Sequence, residues 1–290
     1  MLAALVLVRG AATAVPESVS PLAELRAALD AGDLTRAVRA GEAAVAADPK
    51  SAEASDLLGR AYGLTAEHAT LLEQMRLARK ARACFARAVE LDGTSVPALA
   101  DLARYDMRAP GIIGGGKKKA RASIARVLAL DPPRGHVLAG ELAELEKDPA
   151  CAESEFRAAI DADPLSAAGW NALSSVLLAR RKPAEARRLW EEAGERGAGE
   201  ALAAYGLGGV ALASGDGLPE AARGLAAALE HAPWGGDPSA ADGHERLAAI
   251  YAALGRRTEA AGELEAALRI EPERSDWRRR LSQLSSPAAR

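Results

Sequence analysis

The sequence predicts an all-α chain built from repeated helix pairs, and three observations predict it. Ala, Leu, Arg and Glu are abundant, whereas strand-favouring aromatics are scarce, with two Phe, four Tyr and four Trp in 290 residues. One helical phrase recurs along the chain at an interval of about 34 residues. Each copy closes on a proline or a small residue, which marks a helix terminus.

The recurring phrase is clearest in "ARACFARAVELDG" (81–93), "AESEFRAAIDADP" (152–164) and "AAGELEAALRIEP" (260–272). "AVRAGEAAVAADP" (37–49), "ARASIARVLALDP" (120–132), "AEARRLWEEAGERGA" (184–198) and "AARGLAAALEHAP" (221–233) are further copies. In each, small and bulky residues alternate at a spacing that puts them on one helix face. A second helix type precedes these copies, as in "SAEASDLLGRAY" (51–62), "AAGWNALSSVLL" (167–178), "LAAYGLGGVAL" (202–212) and "GHERLAAIYAALG" (243–255). Short turns such as "LGRRTEA" and "ARRKPAEA" join the two types.

Helix, turn, helix and closing proline at this period resemble the tetratricopeptide repeat (TPR) over residues 18 to 272. Trp170, Leu173, Ala186, Trp190 and Ala193 carry the resemblance best, and Tyr62, Tyr251, Phe85 and Phe156 fall at its aromatic slots. The resemblance implies a right-handed α-solenoid of about seven pairs, over 18–49, 50–93, 94–132, 133–164, 165–198, 199–233 and 239–272. "ERSDWRRRLSQL" (273–284) would cap the array, and 285–290 would form a loose tail.

The closing residues are Pro49, Gly93, Pro132, Pro164, Ala198, Pro233 and Pro272, with gaps of 44, 39, 32, 34, 35 and 39. The excess over the repeat length is expected in loops, within "TAEHATLLEQ", "APGIIGG" and "WGGDPSAADG". Residues 65–74 leave two forms open, a lid or longer helices.

The N-terminus carries an apolar run, Leu2 to Val8, and then Ala12-Thr13-Ala14 before Val15. This resembles a bacterial secretory signal over residues 1–14 and predicts export; the alternative is an apolar N-terminal helix of a cytoplasmic protein. The run is too short to span a bilayer. Cys84 and Cys151 fit no disulfide or zinc spacing and read as two small buried thiols.

"APGIIGGGKKKA" (109–120) has the frame of a phosphate-binding P-loop in Gly111, Gly116 and Lys117. Its context is wrong. A helix precedes it where a strand is needed, and Lys118 stands where the motif needs a hydroxyl. The stretch is similar to Ala-Pro-Gly-x-x-Gly-Gly loops of other bacterial TPR proteins. Two readings remain: a lengthened solvated turn, or an anion site formed by Gly114, Gly115, Gly116, Lys117 and Lys118 at a helix N-terminus.

The resemblance implies that the first helix of each pair lines a concave groove, where the register places Arg26, Arg60, Arg104, Arg108, Asn171 and Tyr205. An arginine row there suits an acidic or extended protein segment, because guanidinium pairs bidentately with carboxylate. Residues 74–126 carry twelve Lys/Arg against four Asp/Glu, and 137–163 carry eight acids against two bases. The net charge of −3 points to no nucleic-acid partner.

His231 and His244, with Asp237 and Asp242 between them, match no metal-ligand spacing, and no catalytic motif is present. Trp234 lies off the repeat pattern, as an exposed contact or a cover over its loop. The expectation is a non-enzymatic interaction scaffold without metal or cofactor. The alternative is a module for an anionic small molecule or glycan at residues 109–119.

Overall fold

The computed structural model describes residues 20–235 and 238–285. Residues 1–14, Asp237 and the tail after 285 lie outside the described residues. The described chain forms fifteen α-helices, α1 (Pro21–Asp30), α2 (Leu34–Ala47), α3 (Ala52–Glu67), α4 (Leu71–Leu91), α5 (Val96–Arg108), α6 (Lys117–Leu130), α7 (Pro132–Leu145), α8 (Pro149–Ala162), α9 (Ala167–Ala179), α10 (Pro183–Glu195), α11 (Glu200–Ser214), α12 (Leu218–His231), α13 (Ala240–Ala253), α14 (Arg257–Ile270) and α15 (Ser275–Ser285). Helices adjacent in sequence pack on each other, and the short turns between them make them antiparallel.

Local chemistry sets the punctuation. Where one pair meets the next, Asp48, Asp92 and Asp163 accept the amide two residues on, at 3.0, 2.9 and 3.0 Å. Three residues after each of these aspartates, Ser51, Ser95 and Ser166 cap the following helix with their hydroxyls. The closing residue therefore sits inside this turn, beyond the helix end. Pro132 goes further and opens α7, because Asp131 alone both ends α6 and caps α7.

Within several pairs, the turn passes through a left-handed residue. Gly32, Lys147, Arg181 and Gly255 hold φ of 68°, 61°, 56° and 75°. The following amide then returns to the carbonyl five residues back, as in Asp148 N to Ala143 O at 2.9 Å and Lys182 N to Leu177 O at 2.9 Å.

Successive first helices (α1, α3, α5, α7, α9, α11, α13) touch one another. The second helices make no comparable contacts among the described residues. In a curved stack the crowded layer is the inner one, so the first helices form the concave layer. The curvature carries far enough for the ends to meet, with Ser275 Oγ donating to Ala31 O at 2.8 Å.

The core is a chain of clusters rather than one centre, as expected when each repeat buries its face only against its neighbours. Its densest part joins Trp170 and Trp190, 0% and 1% exposed, with ring centroids 6.3 Å apart. Trp190 Nε1 donates to Ser174 Oγ at 2.9 Å, which satisfies its buried N–H. Gly206 admits this indole, because a Cβ there would lie 2.0 Å from the Trp190 ring.

Two expectations are corrected. The excess residues of the second pair are not a loop. α3 runs 16 residues and α4 runs 21, with only residues 68–70 between them. "TAEHATLLEQ" contains no Gly or Pro, and most of it is good helix former, so both helices continue. Cys151 is not buried; it is exposed in the first turn of α8, whereas Cys84 is half-buried. The expected insertion at 109–116 is a loop with one 3-10 turn, and the described residues 232–235 and 238–239 of the other lie outside helices, its last four residues opening α13. Trp234 covers the second, its Nε1 on Ala228 O at 3.1 Å and its ring over Gly243.

Candidate functional site

The inner layer carries most of the residues the sequence singles out, and it pairs many of them. Arg26 on α1 meets Glu53 on α3, with Nε 3.0 Å from Oε1. Arg60 on α3 lies 3.9 Å from Asp101 on α5. Arg104 on α5 grips Glu141 on α7 through Nε and Nη2 at 3.1 Å each. Each of these three arginines thus reaches a carboxylate one repeat further along, in a ladder of inter-repeat ion pairs. Burial works against the Arg104 cation, but the hydrogen bond and charge of Glu141 outweigh it and hold its pKa above the ordinary value.

The ladder continues differently in the C-terminal half. Asn171 is half-buried on α9. Tyr205 on α11 lies under the Arg246 guanidinium of α13, 3.5 Å from its ring centroid, and its carbonyl accepts from Arg246 Nη1 at 3.0 Å.

Two inner cations are less engaged. The Arg60 side chain is 54% exposed, and its ion pair is at the outer limit of contact. Arg108, at the last turn of α5, is exposed and has no acidic partner among the described residues. Beside Arg60 sits a carboxyl the sequence does not reveal. Asp56 on α3 is 6% exposed, and its Oδ1 has no hydrogen-bond partner. Burial pushes its pKa up to about 7, the Asp101 charge adds to the rise, and Arg60 opposes it.

The glycine loop is a built structure. A single 3-10 turn, Gly111–Ile113, leads into Gly114 at φ 98°. The amides of Ile113 and Gly115 donate to Pro110 O, Gly114 to Gly111 O, and Gly116 to Asp106 O at 2.7 Å. The backbone donors of Gly114, Gly115 and Gly116 are thus spent within the chain. Lys119 Nζ bonds Gly114 O at 2.7 Å, and Lys117 Nζ approaches Leu145 O and Glu146 at 3.3 and 3.8 Å. Lys118 is exposed. Tyr105 Oη donates to Ile113 O at 2.9 Å, and Arg82 Nε meets the buried Asp106 carboxylate at 2.9 Å.

The long second pair and this loop enclose a notch of ≈ 680 Å³ at the edge of the array where α3 and α5 end and α4 begins. Its walls are Leu64, Leu71, Met75 and Ile112, and its polar end holds Arg60, Asp101, Arg104 and Arg108. The sequence signal for it was Leu71 within "TAEHATLLEQ", which a loop assignment hides.

The histidines of the last insertion serve other partners. His244 Nδ1 lies 2.7 Å from Glu263 on α14, and Asp242 completes the capping box of α13 with Ser239.

No protein-family model matches the sequence, and the comparison with curated proteins finds no match. Solved structures do match. Yeast Tom70 aligns over 95% of this chain and 66% of its own length, at 13% identity and a TM-score of 0.50. A tetratricopeptide repeat protein from Parabacteroides merdae covers 91% of this chain and 96% of its own at 15% identity and a TM-score of 0.47. MamA covers 60% and 88% at 20% identity and a TM-score of 0.40. The all-helical pairing and the match to Tom70 together establish the architecture: the chain has the tetratricopeptide-repeat fold, a right-handed α-solenoid of about seven helix pairs closed by a C-terminal helix.

Proposed function

We propose that the chain is a non-enzymatic scaffold or adaptor that holds an extended, acidic segment of another protein along its inner layer. One observation carries the reading: of the inner-layer arginines, Arg60 and Arg108 make no close ion pair while Arg26 and Arg104 are hydrogen-bonded to carboxylates of neighbouring repeats. An incoming carboxylate gains a charge-assisted hydrogen bond at either site without breaking a close ion pair. Arg104 is then a structural rung, and its loss acts through repeat–repeat geometry. The N-terminal segment supports placing this scaffold outside the cytoplasm, with cleavage before Val15.

Crosslinking mass spectrometry on the natively expressed chain tests both parts. The expected result is a chain starting at Val15, crosslinked to a protein through α3 and α5, with the crosslinks lost in Arg60→Glu/Arg108→Glu. A chain retaining Met1 would contradict export. The absence of protein crosslinks at the inner layer would contradict the scaffold. The alternative, an anion or glycan site at residues 109–119, is less favoured, since the amides of Ile113 to Gly116 serve the chain's own carbonyls.

A further inference from the structure

We infer that the notch between the long second pair and the glycine loop docks a short amphipathic segment of the partner, with about two or three large aliphatic side chains beside a carboxylate. This rests on the scaffold reading and names the site and chemistry of its anchor.

Apolar exposure is concentrated here. Leu64, Leu71 and Ile112, three of the eight large apolar side chains exposed among the described residues, line the notch, and Leu71 and Ile112 are 72% and 75% exposed. Scattered single leucines are ordinary, but a cluster on one edge marks a contact surface. Charge selects the occupant. Arg108 stands at the notch with no acidic partner, and the surrounding stretch 74–126 has three times as many bases as acids. A basic or neutral apolar segment would leave that cation unmatched, whereas an acid-flanked one pairs with it.

Shape selects a protein segment. The volume of ≈ 680 Å³ suits several side chains. Arg60 and Arg104 belong both to the notch and to the inner row, so a chain anchored in the notch can run on along the concave layer. The wall is also preformed. Tyr105, Asp106 and Arg82 hold the loop in place, which lowers the ordering cost of binding.

The test selects a random peptide display library on the full chain and measures the enriched peptide, fluorescein-labelled, by anisotropy. The expected peptides combine closely spaced Leu, Ile, Met or Phe with Asp or Glu. Their Kd is expected to rise about tenfold or more in Arg108→Glu and in Ile112→Asp, and to stay unchanged in Arg223→Glu on α12. Both notch positions are exposed, so these variants keep the fold, which thermal unfolding checks. No enrichment, peptides of another composition, or affinity that survives both notch substitutions would overturn the inference. If the crosslinked partner still binds both notch variants, the notch assignment fails and the scaffold reading stands. If no protein partner is captured at all, the scaffold reading itself fails.

Discussion

The fifth helix pair and the second pair show two ways of using the same repeat. The fifth, α9 and α10, is 13 residues against 13, and its Trp170 and Trp190 are fully enclosed with every indole N–H bonded. The second, α3 and α4, is 16 against 21, and its extra turns carry Leu71 and Leu72 into solvent. It also buries a carboxyl, Asp56, with an unpaired oxygen. Apart from Leu165 ahead of α9, the large apolar surface of the fifth pair is consumed by the array's own stability. In the second it is left over, and leftover surface beside accessible cations is where a partner can gain binding energy.

Five substitutions break or sharpen this contrast. The largest effect is expected from Trp190→Ala, which empties the enclosed core and should cost about 3–5 kcal/mol in denaturant unfolding. Leu72→Ala, 82% exposed, should stay within about 0.5 kcal/mol. Comparable losses at both positions would erase the distinction between the two pairs. Next is Arg82→Met. It strands the Asp106 carboxylate, 2% exposed, beneath the glycine loop and should cost about 3 kcal/mol, with faster amide exchange at residues 113–116. Unchanged exchange there would mean that Arg82 does not hold the loop.

Asp56→Asn should act through pH. The folded pKa of Asp56 is about 7, above the ordinary 3.8. The folded chain therefore binds more protons than the unfolded chain between those values. The Asp56 contribution is most favourable below pH 4, falls as pH rises toward 7, and is constant beyond. The asparagine variant should lose that slope and gain stability relative to the parent at pH 8. An identical pH profile in both proteins would remove Asp56 as its source. A small gain is expected from Lys147→Gly. It relieves the left-handed φ of 61° in a turn that uses Gly32 and Gly255 elsewhere, and should raise stability by about 0.5–1 kcal/mol. A loss of stability would show that the Lys147 side chain matters more than its backbone.

Much of this architecture was legible in the sequence because its signals are local. Small-large spacing and the closing prolines act within a few residues, and they pointed to the paired helices; the Asp-x-x-Ser turns are equally local, though the structure brought them to notice. Two features were hidden for physical reasons. The turn at His68-Ala69-Thr70 has no Gly or Pro, so the length of α3 and α4 could not be separated from a loop on register alone. The fate of the inner arginines depends on the rotation between repeats. Arg26 meets Glu53 and Arg104 meets Glu141 across 27 and 37 residues, distances at which no pairing pattern shows in sequence. The glycine loop's internal bonding is hidden in the same way, since nothing in its sequence shows that the amides of Ile113 to Gly116 go to the chain's own carbonyls.

The claim that binding belongs to the irregular part of the array is tested most directly by hydrogen–deuterium exchange on the full chain, with and without the partner captured by crosslinking. Protection is expected at residues 60–78 and 101–113, with residues 170–195 unchanged. Protection centred on 170–195, with the second and third pairs unaffected, would contradict the account.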